Sequence, residues 1–404
     1  MIVRRFLLWA RTAPAEARAQ GAAALAGAYL RSGMAPDDRY EAETALLALI
    51  DDPSPLVRRA LAEELAAAPQ APRAVVLGLT AEQSDIAALL LAQSPVLTDA
   101  DLVDAAAIGD ALAQRAIGQR PHLSPGVCAA LAEVGVEEAL LALLANPTAE
   151  IPDFSLERIF EREGESGAVR EAMLARDDLP AGLRQAIAAK VSDTLAAFIS
   201  NCGWLTEERS ARLARESTER VAIALAAGGE ASDAPAIVEC LRENGRLTPG
   251  VILRSLLSDE PALAEAAFAA LSDLPPARVR ALLWDRGGAG LKALYRKAGM
   301  PEPLLPAFAA SIEALKTARA RRGGRAGRLD RTILAEVLIA CERLDASQAS
   351  GLMALLRRLD AEAAREDARA LADSLADDAA LALLVEADPT FLVELELGDL
   401  REAA

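Results

Sequence analysis

An arginine- and glycine-rich segment between Ala318 and Arg331 has the clearest potential for chemistry in this chain. Guanidinium groups bind phosphate and carboxylate oxygens through paired hydrogen bonds, so such a segment can hold an anion. The candidate anion-binding residues are Arg319, Arg321, Arg322, Arg325 and Arg328. Because glycine and like-charge repulsion both disfavour a helix, we predict a linker or exposed loop. It could bind a nucleotide or phosphate, or dock on the acidic C-terminal segment of the same chain.

Histidine and cysteine offer little for catalysis or metal binding. His122 is the single histidine, and no acid or cysteine lies near it at the spacing of metal ligands. A Ser-His-Asp mechanism would depend on this one residue, which instead sits beside a predicted helix start. The sequence therefore predicts no metal site and no catalytic histidine, and it indicates no cofactor.

Carboxylate pairs and one glycine-rich turn are the remaining candidates for catalysis. The pairs are Asp37–Asp38, Asp51–Asp52, Asp177–Asp178 and Asp377–Asp378. Most of them precede a helix start and are explained by capping, although acids that converge in a groove could serve a hydrolase. The turn from Asp285 to Gly290 lacks the Lys-Ser/Thr ending of a P-loop, so we predict a helix–helix turn. No catalytic residue can be assigned, and the pattern favours a non-enzymatic protein.

The composition predicts an all-α protein. The chain has 404 residues, of which 52% are hydrophobic and only 3% are aromatic, so the apolar residues are mainly alanine and leucine. The net charge of −17 opposes binding to nucleic-acid phosphates. Four cysteines without a CxxC pair fit a reducing compartment, and we expect a cytoplasmic protein. No uncharged apolar run is long enough to predict a transmembrane helix.

Repeated helix-start signals indicate how the helices are organised. Leu123-Ser124-Pro125-Gly126-Val127 returns as Leu247-Thr248-Pro249-Gly250-Val251, with a capping hydroxyl before a proline in each copy. Thr98 and Thr206 precede acidic first turns in the same way, and Thr80 opens a predicted capping box. A sequence in which the same helix-start motif recurs indicates a protein built from stacked helical units.

Two resemblances follow from these motifs. Asp51-Asp52-Pro53-Ser54-Pro55 followed by Val57-Arg58 resembles the turn and second helix of a HEAT repeat. From about Asp85 to Lys316 the chain resembles an uncharacterised alphaproteobacterial family with HEAT-like helices. The segments that carry this resemblance are Leu90–Leu97, Arg120–Ser124, Gly245–Pro249 and Lys297–Pro301. It implies cytoplasmic, all-helical repeats without assigned catalytic residues.

We therefore predict an all-α, HEAT-like α-solenoid of short helix pairs over residues 1–316. An Arg/Gly-rich linker or loop at 317–331 and an acidic C-terminal helical domain at 332–404, with three or four helices, would follow. The predicted function is a protein-interaction or regulatory scaffold whose repeat groove binds a protein or peptide with basic or apolar residues. The C-terminal domain would cover the groove or mediate self-association as a homo-oligomer. The alternatives are a nucleotide- or phosphate-responsive regulator and, third, a helical-repeat hydrolase or glycosylase.

Overall fold

A computed structural model describes residues 2–229, 233–321, 329–342 and 346–387, and side chains within 5–229, 233–317, 329–342 and 352–376. In these ranges the secondary structure is α-helix with one short 3₁₀ turn, and no strand occurs. The predicted all-α fold is therefore confirmed. None of the helices in the described residues is both long and apolar enough to cross a membrane. The described chain divides into two compact units, Met1–Leu179 and Pro180–Ala404.

The first unit contains twelve helices among its described residues. They are α1 (Ile2–Ala10), α2 (Ala15–Arg31), α3 (Pro36–Ile50), α4 (Pro55–Leu65), α5 (Arg73–Thr80), α6 (Ser84–Gln93), α7 (Asp99–Ile108), α8 (Ala111–Gly118), α9 (Pro125–Val134), α10 (Glu137–Leu144), α11 (Asp153–Glu163) and α12 (Gly167–Leu174). From α2 to α12, each even-numbered helix packs on the next even-numbered one. The odd-numbered helices do the same over α1–α5 and over α7–α11. This alternation produces two rows of stacked helices with an apolar layer between them.

Polar side chains join successive helices of this unit to one another. Arg120 donates a hydrogen bond to the carbonyl oxygen of Leu91 at 3.0 Å, across 29 residues. Asn146 donates to the carbonyl oxygen of Gly118 at 3.0 Å, across 28 residues. Arg176 continues the series with bonds to two carbonyl oxygens at and after the end of α10. The bonds to Leu91, Gly118 and Leu144 satisfy carbonyls that the end of a helix leaves without a partner. The sequence separations between donor and acceptor are similar in these bonds, which supports the interpretation of this unit as a stack of helical units.

The helix starts follow the predicted capping signals in most places. The Ser124 and Thr248 hydroxyls accept bonds from the N–H groups of the third helical residues, at 3.5 and 3.3 Å. Thr98 forms a full capping box with Asp101, and Thr206 caps its own helix. The capping box at Thr80 is wrong, because α5 ends at Thr80 and α6 begins at Ser84. Such a cap is worth about 1 kcal/mol, which is too little to override the packing of the preceding helix.

The second unit contains ten helices and the 3₁₀ turn among its described residues. They are α13 (Ala181–Asn201), α14 (Glu207–Gly228), α15 (Asp233–Glu243), α16 (Pro249–Leu257), α17 (Pro261–Ser272), α18 (Pro276–Leu283), α19 (Ala289–Lys297), the turn Glu302–Leu304, α20 (Leu305–Arg321), α21 (Arg331–Cys341) and α22 (Ala346–Ala387). Its core contains the aromatic cluster of Phe268, Tyr295 and Phe308, all fully buried. The aliphatic side chains of α14–α17 and α20–α22 surround this cluster.

Two expectations about the C-terminal third need correction. Helix α20 continues through Arg321, so residues 317–321 are helical and do not start a linker. The described part of 332–387 holds α21 and the 42-residue α22, where three or four helices were expected. Helix α22 runs on because its alanine- and leucine-rich sequence has no proline, and its one glycine, Gly351, is not followed by a turn signal. Apart from the helical residues 317–321, the division into 1–316, 317–331 and 332–404 stays a prediction.

Candidate protein-interaction site

The structure leaves the predicted anion-binding residues largely undescribed. Arg322, Arg325 and Arg328 lie outside the described residues. The backbone of Arg319 and Arg321 belongs to α20, but their side chains are also outside the description. The anion site of this segment therefore stays a prediction.

His122 and the described carboxylate pairs have structural roles. His122 adopts a positive φ of 54° in the turn before α9, where its N–H donates to the Thr148 hydroxyl at 3.0 Å. Asp52 accepts two hydrogen bonds of 2.8 Å from Arg18, and these bonds lower the pKa of its carboxyl group. Among the described residues, no group of three or more His, Cys, Asp or Glu side chains could hold a metal ion.

The other acidic pairs can also be placed in part. Asp37 and Asp38 lie in the first turn of α3, where a negative charge favours the helix. Asp178 accepts two bonds from Arg176, at 2.7 and 2.8 Å, just before α13. The side chains of Asp377 and Asp378 lie outside the described residues. The described pairs therefore lie at helix starts and turns, but none of them caps the helix that follows, so the predicted capping role is not confirmed.

The glycine-rich turn at Asp285–Gly290 connects two helices, as predicted. Gly288 adopts a φ of +68°, and α19 begins at the next residue. The Asp285 carboxylate accepts a bond of 3.0 Å from the N–H of Gly290, and such backbone bonds lower the pKa of Asp285. The backbone amides of this turn thus bind a carboxylate of the same chain, which is a turn-closing role.

The feature with the strongest functional signature is the tip of the hairpin formed by α13 and α14, which we define as residues 191–213. The first half of α13 is buried, but its second half is mostly exposed. Large apolar side chains are exposed to solvent here, and they include two aromatic residues of a chain that contains few. These exposed residues are Val191, Leu195, Phe198, Trp204 and Leu213. A group of exposed large apolar residues in one short segment is typical of a protein-interaction site.

The exposed residues of α13 lie along one line of the helix. Val191, Leu195 and Phe198 are separated by four and then three residues, which is the spacing of a coiled-coil contact surface. A second line at the same spacing, which includes Ala189, Ala196 and Ile199, is buried or half-buried. We call the first line the open seam of α13. Helix α13 therefore has two apolar faces. One packs against the rest of the unit, and the other is exposed and has the spacing that packs against another helix.

The turn at the end of the hairpin places Trp204 beside the open seam. Gly203 adopts a φ of +69°, and its N–H donates to the Ser200 carbonyl oxygen at 2.9 Å. This left-handed residue ends α13, a role that glycine fills without steric strain. The rings of Phe198 and Trp204 then meet edge to face, with their centroids 6.0 Å apart. The two rings form an aromatic pair of which Trp204 is 70% and Phe198 55% exposed.

A shallow groove of about 530 Å³ lies beside the seam, between α13 and α14. Its polar lining has two acids, Asp193 and Glu207, and two arginines, Arg215 and Arg246. Arg246 already contacts Asp193 and donates to the Thr218 hydroxyl at 3.2 Å. The acidic and basic side chains of the groove are thus balanced by one another. The distinguishing feature of the tip is therefore its exposed apolar surface.

An ion cluster fixes the base of the same hairpin. Arg254 of α16 is 1% exposed and binds Glu362 of α22 through two hydrogen bonds of 2.9 and 2.7 Å. The Arg254 Nε atom also lies 3.3 Å from a carboxylate oxygen of Glu219 on α14. Arg358 of α22 lies 3.5 Å from Glu216, one turn earlier on α14. These contacts connect α14, α16 and α22 below the exposed tip.

The two glutamates of this cluster have opposite pKa shifts. Burial raises the pKa of Glu219, and the nearby charges of Arg254 and Arg358 offset this only in part. Burial also opposes the ionisation of Glu362, but the hydrogen bonds and charge of Arg254 outweigh it and lower the pKa of Glu362. The charge of Glu362 is therefore stabilised by folding, and the charge of Glu219 is not.

We predict that Glu219→Gln is tolerated or stabilising at pH 7. A carboxyl group whose pKa is raised by folding binds protons more tightly in the folded state, so its contribution to stability falls as pH rises through that pKa. The gain from E219Q over the wild type should shrink as pH falls towards 4.5, the ordinary pKa of glutamate. Urea unfolding of both proteins across this range measures the difference. A gain that grows on acidification would contradict the assigned direction.

In the described residues the protein is all-α, with stacked helices in the first unit and an exposed hairpin tip in the second. The chain belongs to a family described as an uncharacterised protein conserved in bacteria (DUF2336), which it matches over residues 86–354. This range includes the whole α13–α14 hairpin and most of the stacked helices. No curated protein and no solved structure matches the chain.

The hairpin tip was not found by sequence reasoning. Charged residues and helix starts give the functional and structural predictions from the sequence, whereas the tip is marked by apolar residues. The available signal was an uncharged run, residues 194–206, that contains both Phe198 and Trp204 in a chain of few aromatics. Sequence alone does not separate such a run from a buried helix, because the 3–4 spacing is the same in both cases.

Proposed function

We propose that this protein is a non-enzymatic protein-interaction module that acts as a scaffold or regulator. The observation that carries the proposal is the exposed apolar surface of the α13–α14 tip, with Phe198 and Trp204 at its centre. Aromatic side chains of this kind dominate the energy of protein interfaces, and a solvent-exposed pair of them is stabilised by a bound partner. The rigid base of the hairpin holds this surface in a fixed orientation.

The stacked helices of the first unit support the same proposal. Two rows of short helices, joined by side-chain bonds at offsets of 28–32 residues, are an arrangement that HEAT-like proteins use for binding. We therefore propose that the units are HEAT-like repeats. The cysteine pattern favours a reducing compartment, and the cytoplasm is the location we propose.

Comparative affinity capture tests the proposed function. Wild-type protein, Phe198→Glu and the control Phe154→Glu would each be used to capture proteins from a lysate of the encoding bacterium. Phe154 is 62% exposed on α11 and matches Phe198 in residue type and exposure. We expect F198E to lose proteins that the wild type and F154E both retain. Recovery of the same proteins by all three would contradict the proposed site.

The salt dependence of capture adds a second criterion. Residues 194–206 contain no charged side chain, so binding through the tip should persist at high salt. A partner bound through the acidic surface of the protein would be released by salt. Salt-sensitive capture that is unaffected by F198E would therefore favour the repeat groove over the hairpin as the binding surface.

A further inference from the structure

We infer that the open seam of α13 binds a second copy of this chain, so that two α13–α14 hairpins form a four-helix bundle. This inference rests on the proposed function, because it names the partner of the same hairpin tip.

The charge of the chain is the first reason to assign a second copy as the partner. With a net charge of −17, two copies repel each other over most of their surfaces. Leu195 and Phe198 of the open seam lie in the uncharged run 194–206, and Asp193, the acid beside Val191 on α13, contacts Arg246. Two copies can meet at this surface without opposing like charges. A basic or acidic partner, by contrast, would find no charge there to pair with.

The composition of the tip is the second reason. Homodimer interfaces are more apolar than transient interfaces, and the centres of interfaces are depleted of charge. Val191, Leu195 and Phe198 supply such a surface along one helix, and Trp204 extends it at the end. The flanking positions Ser192, Thr194 and Asn201 are uncharged and small enough to let a second helix approach.

The spacing and length of the helices provide the geometry. Residues at intervals of four and three form knobs that fit the holes of a facing helix with the same pattern. A twofold axis beside Leu195 would bring the same seam of both copies together, as an isologous contact requires. The seam from Val191 to Phe198 extends about 10 Å along the exposed half of α13 at the standard rise per residue, so the four-helix bundle would form at the tips of the two hairpins.

Light scattering after size-exclusion chromatography tests this inference on the full chain. The wild type and the control F154E should have twice the chain mass of 42.3 kDa at high protein concentration and dissociate on dilution. Leu195→Glu and Phe198→Glu should be monomers over the same range, with self-association weakened roughly 30-fold or more, as for hot-spot residues. Circular dichroism should show equal helix content in all four proteins, because both positions are exposed.

A measurement on the unaltered protein removes any dependence on variant folding. Cys202 is exposed and lies one helical turn beyond Phe198, whereas Cys128 and Cys341 are buried. Its alkylation by a maleimide should slow as protein concentration rises, because the second copy covers it. A concentration-independent rate, a monomeric wild type, or an F198E protein that remains dimeric would each overturn the inference.

The outcomes also separate this inference from the proposed function. If the wild type is monomeric but F198E still loses captured proteins, the tip binds another protein and only the self-association fails. If the wild type is monomeric and capture is unchanged, both fail. If Cys202 is protected even in dilute monomer, another segment of the same chain covers the seam, and the inference is overturned.

Discussion

Glu362→Gln is expected to lower the free energy of unfolding by about 3–5 kcal/mol, the usual cost of removing one partner of a buried ion pair. Glutamine keeps the size of the side chain but removes the charge that faces Arg254. Glutamine retains only one of the two oxygens that accept hydrogen bonds from Arg254, and because Arg254 is 1% exposed, water cannot replace the lost carboxylate charge. Urea unfolding followed by circular dichroism measures the loss.

A matched control makes the E362Q result specific to burial. Glu302 pairs with Arg296 at 2.9 Å, but both side chains are more than half exposed. Glu302→Gln should therefore change stability by only about 0–1 kcal/mol. If E362Q were as mild as E302Q, the cluster would not hold α22 against α14 and α16. The base of the hairpin would then need another explanation.

Phe308→Ala is expected to lower the free energy of unfolding by about 3–5 kcal/mol, as for other large aromatic truncations in protein cores. Phe308 is fully buried, and its ring centroid lies 5.2 Å from that of Tyr295 and 6.1 Å from that of Phe268. The truncation removes both ring contacts and leaves a cavity between α17, α19 and α20. The chain has few other aromatics that could fill it.

Phe154→Ala is the control for this prediction, because Phe154 is largely exposed on α11. Surface substitutions of this kind usually change stability by less than about 0.5 kcal/mol. Chemical denaturation of F308A, F154A and the wild type under one set of conditions gives the comparison. An F308A protein as stable as F154A would mean that the aromatic cluster is not the packed centre of the second unit.

The surroundings of Tyr295 show why this cluster is rigid. Its hydroxyl donates a bond of 2.7 Å to the carbonyl oxygen of Pro301, which anchors the ring at its polar end. Burial raises the pKa of this hydroxyl to about 12, so the group stays a hydrogen-bond donor at neutral pH. The ring is thus fixed by packing on its faces and by this bond at its edge.

Helix starts were the best-predicted part of the fold. Ser124, Thr248 and Thr206 cap their helices as the local sequence indicates, because a cap depends on three or four neighbouring residues. The error at Thr80 has a different cause. How far α5 continues depends on its packing, and tertiary contacts set that length.

The candidate site was harder to predict for a physical reason. The buried and exposed lines of α13 have the same spacing and similar residue types, so local sequence does not show which line faces the core. The Arg254–Glu362 pair joins residues 108 positions apart, a separation that no local pattern reveals. In contrast, the hydrogen bond from the Ser54 N–H to Asp52 and the one that closes the Asp285 turn involve only nearby residues.

The central claim is that another protein chain covers the hairpin tip in the cell, and the exposed thiol of Cys202 reports on this directly. The measurement is the rate of maleimide modification of Cys202 in living bacteria that express either the wild type or F198E at equal levels. The account predicts slower modification in the wild type, because its tip is covered, and faster modification in F198E. Equal rates in the two proteins would show that the tip is uncovered in the cell and would contradict the claim.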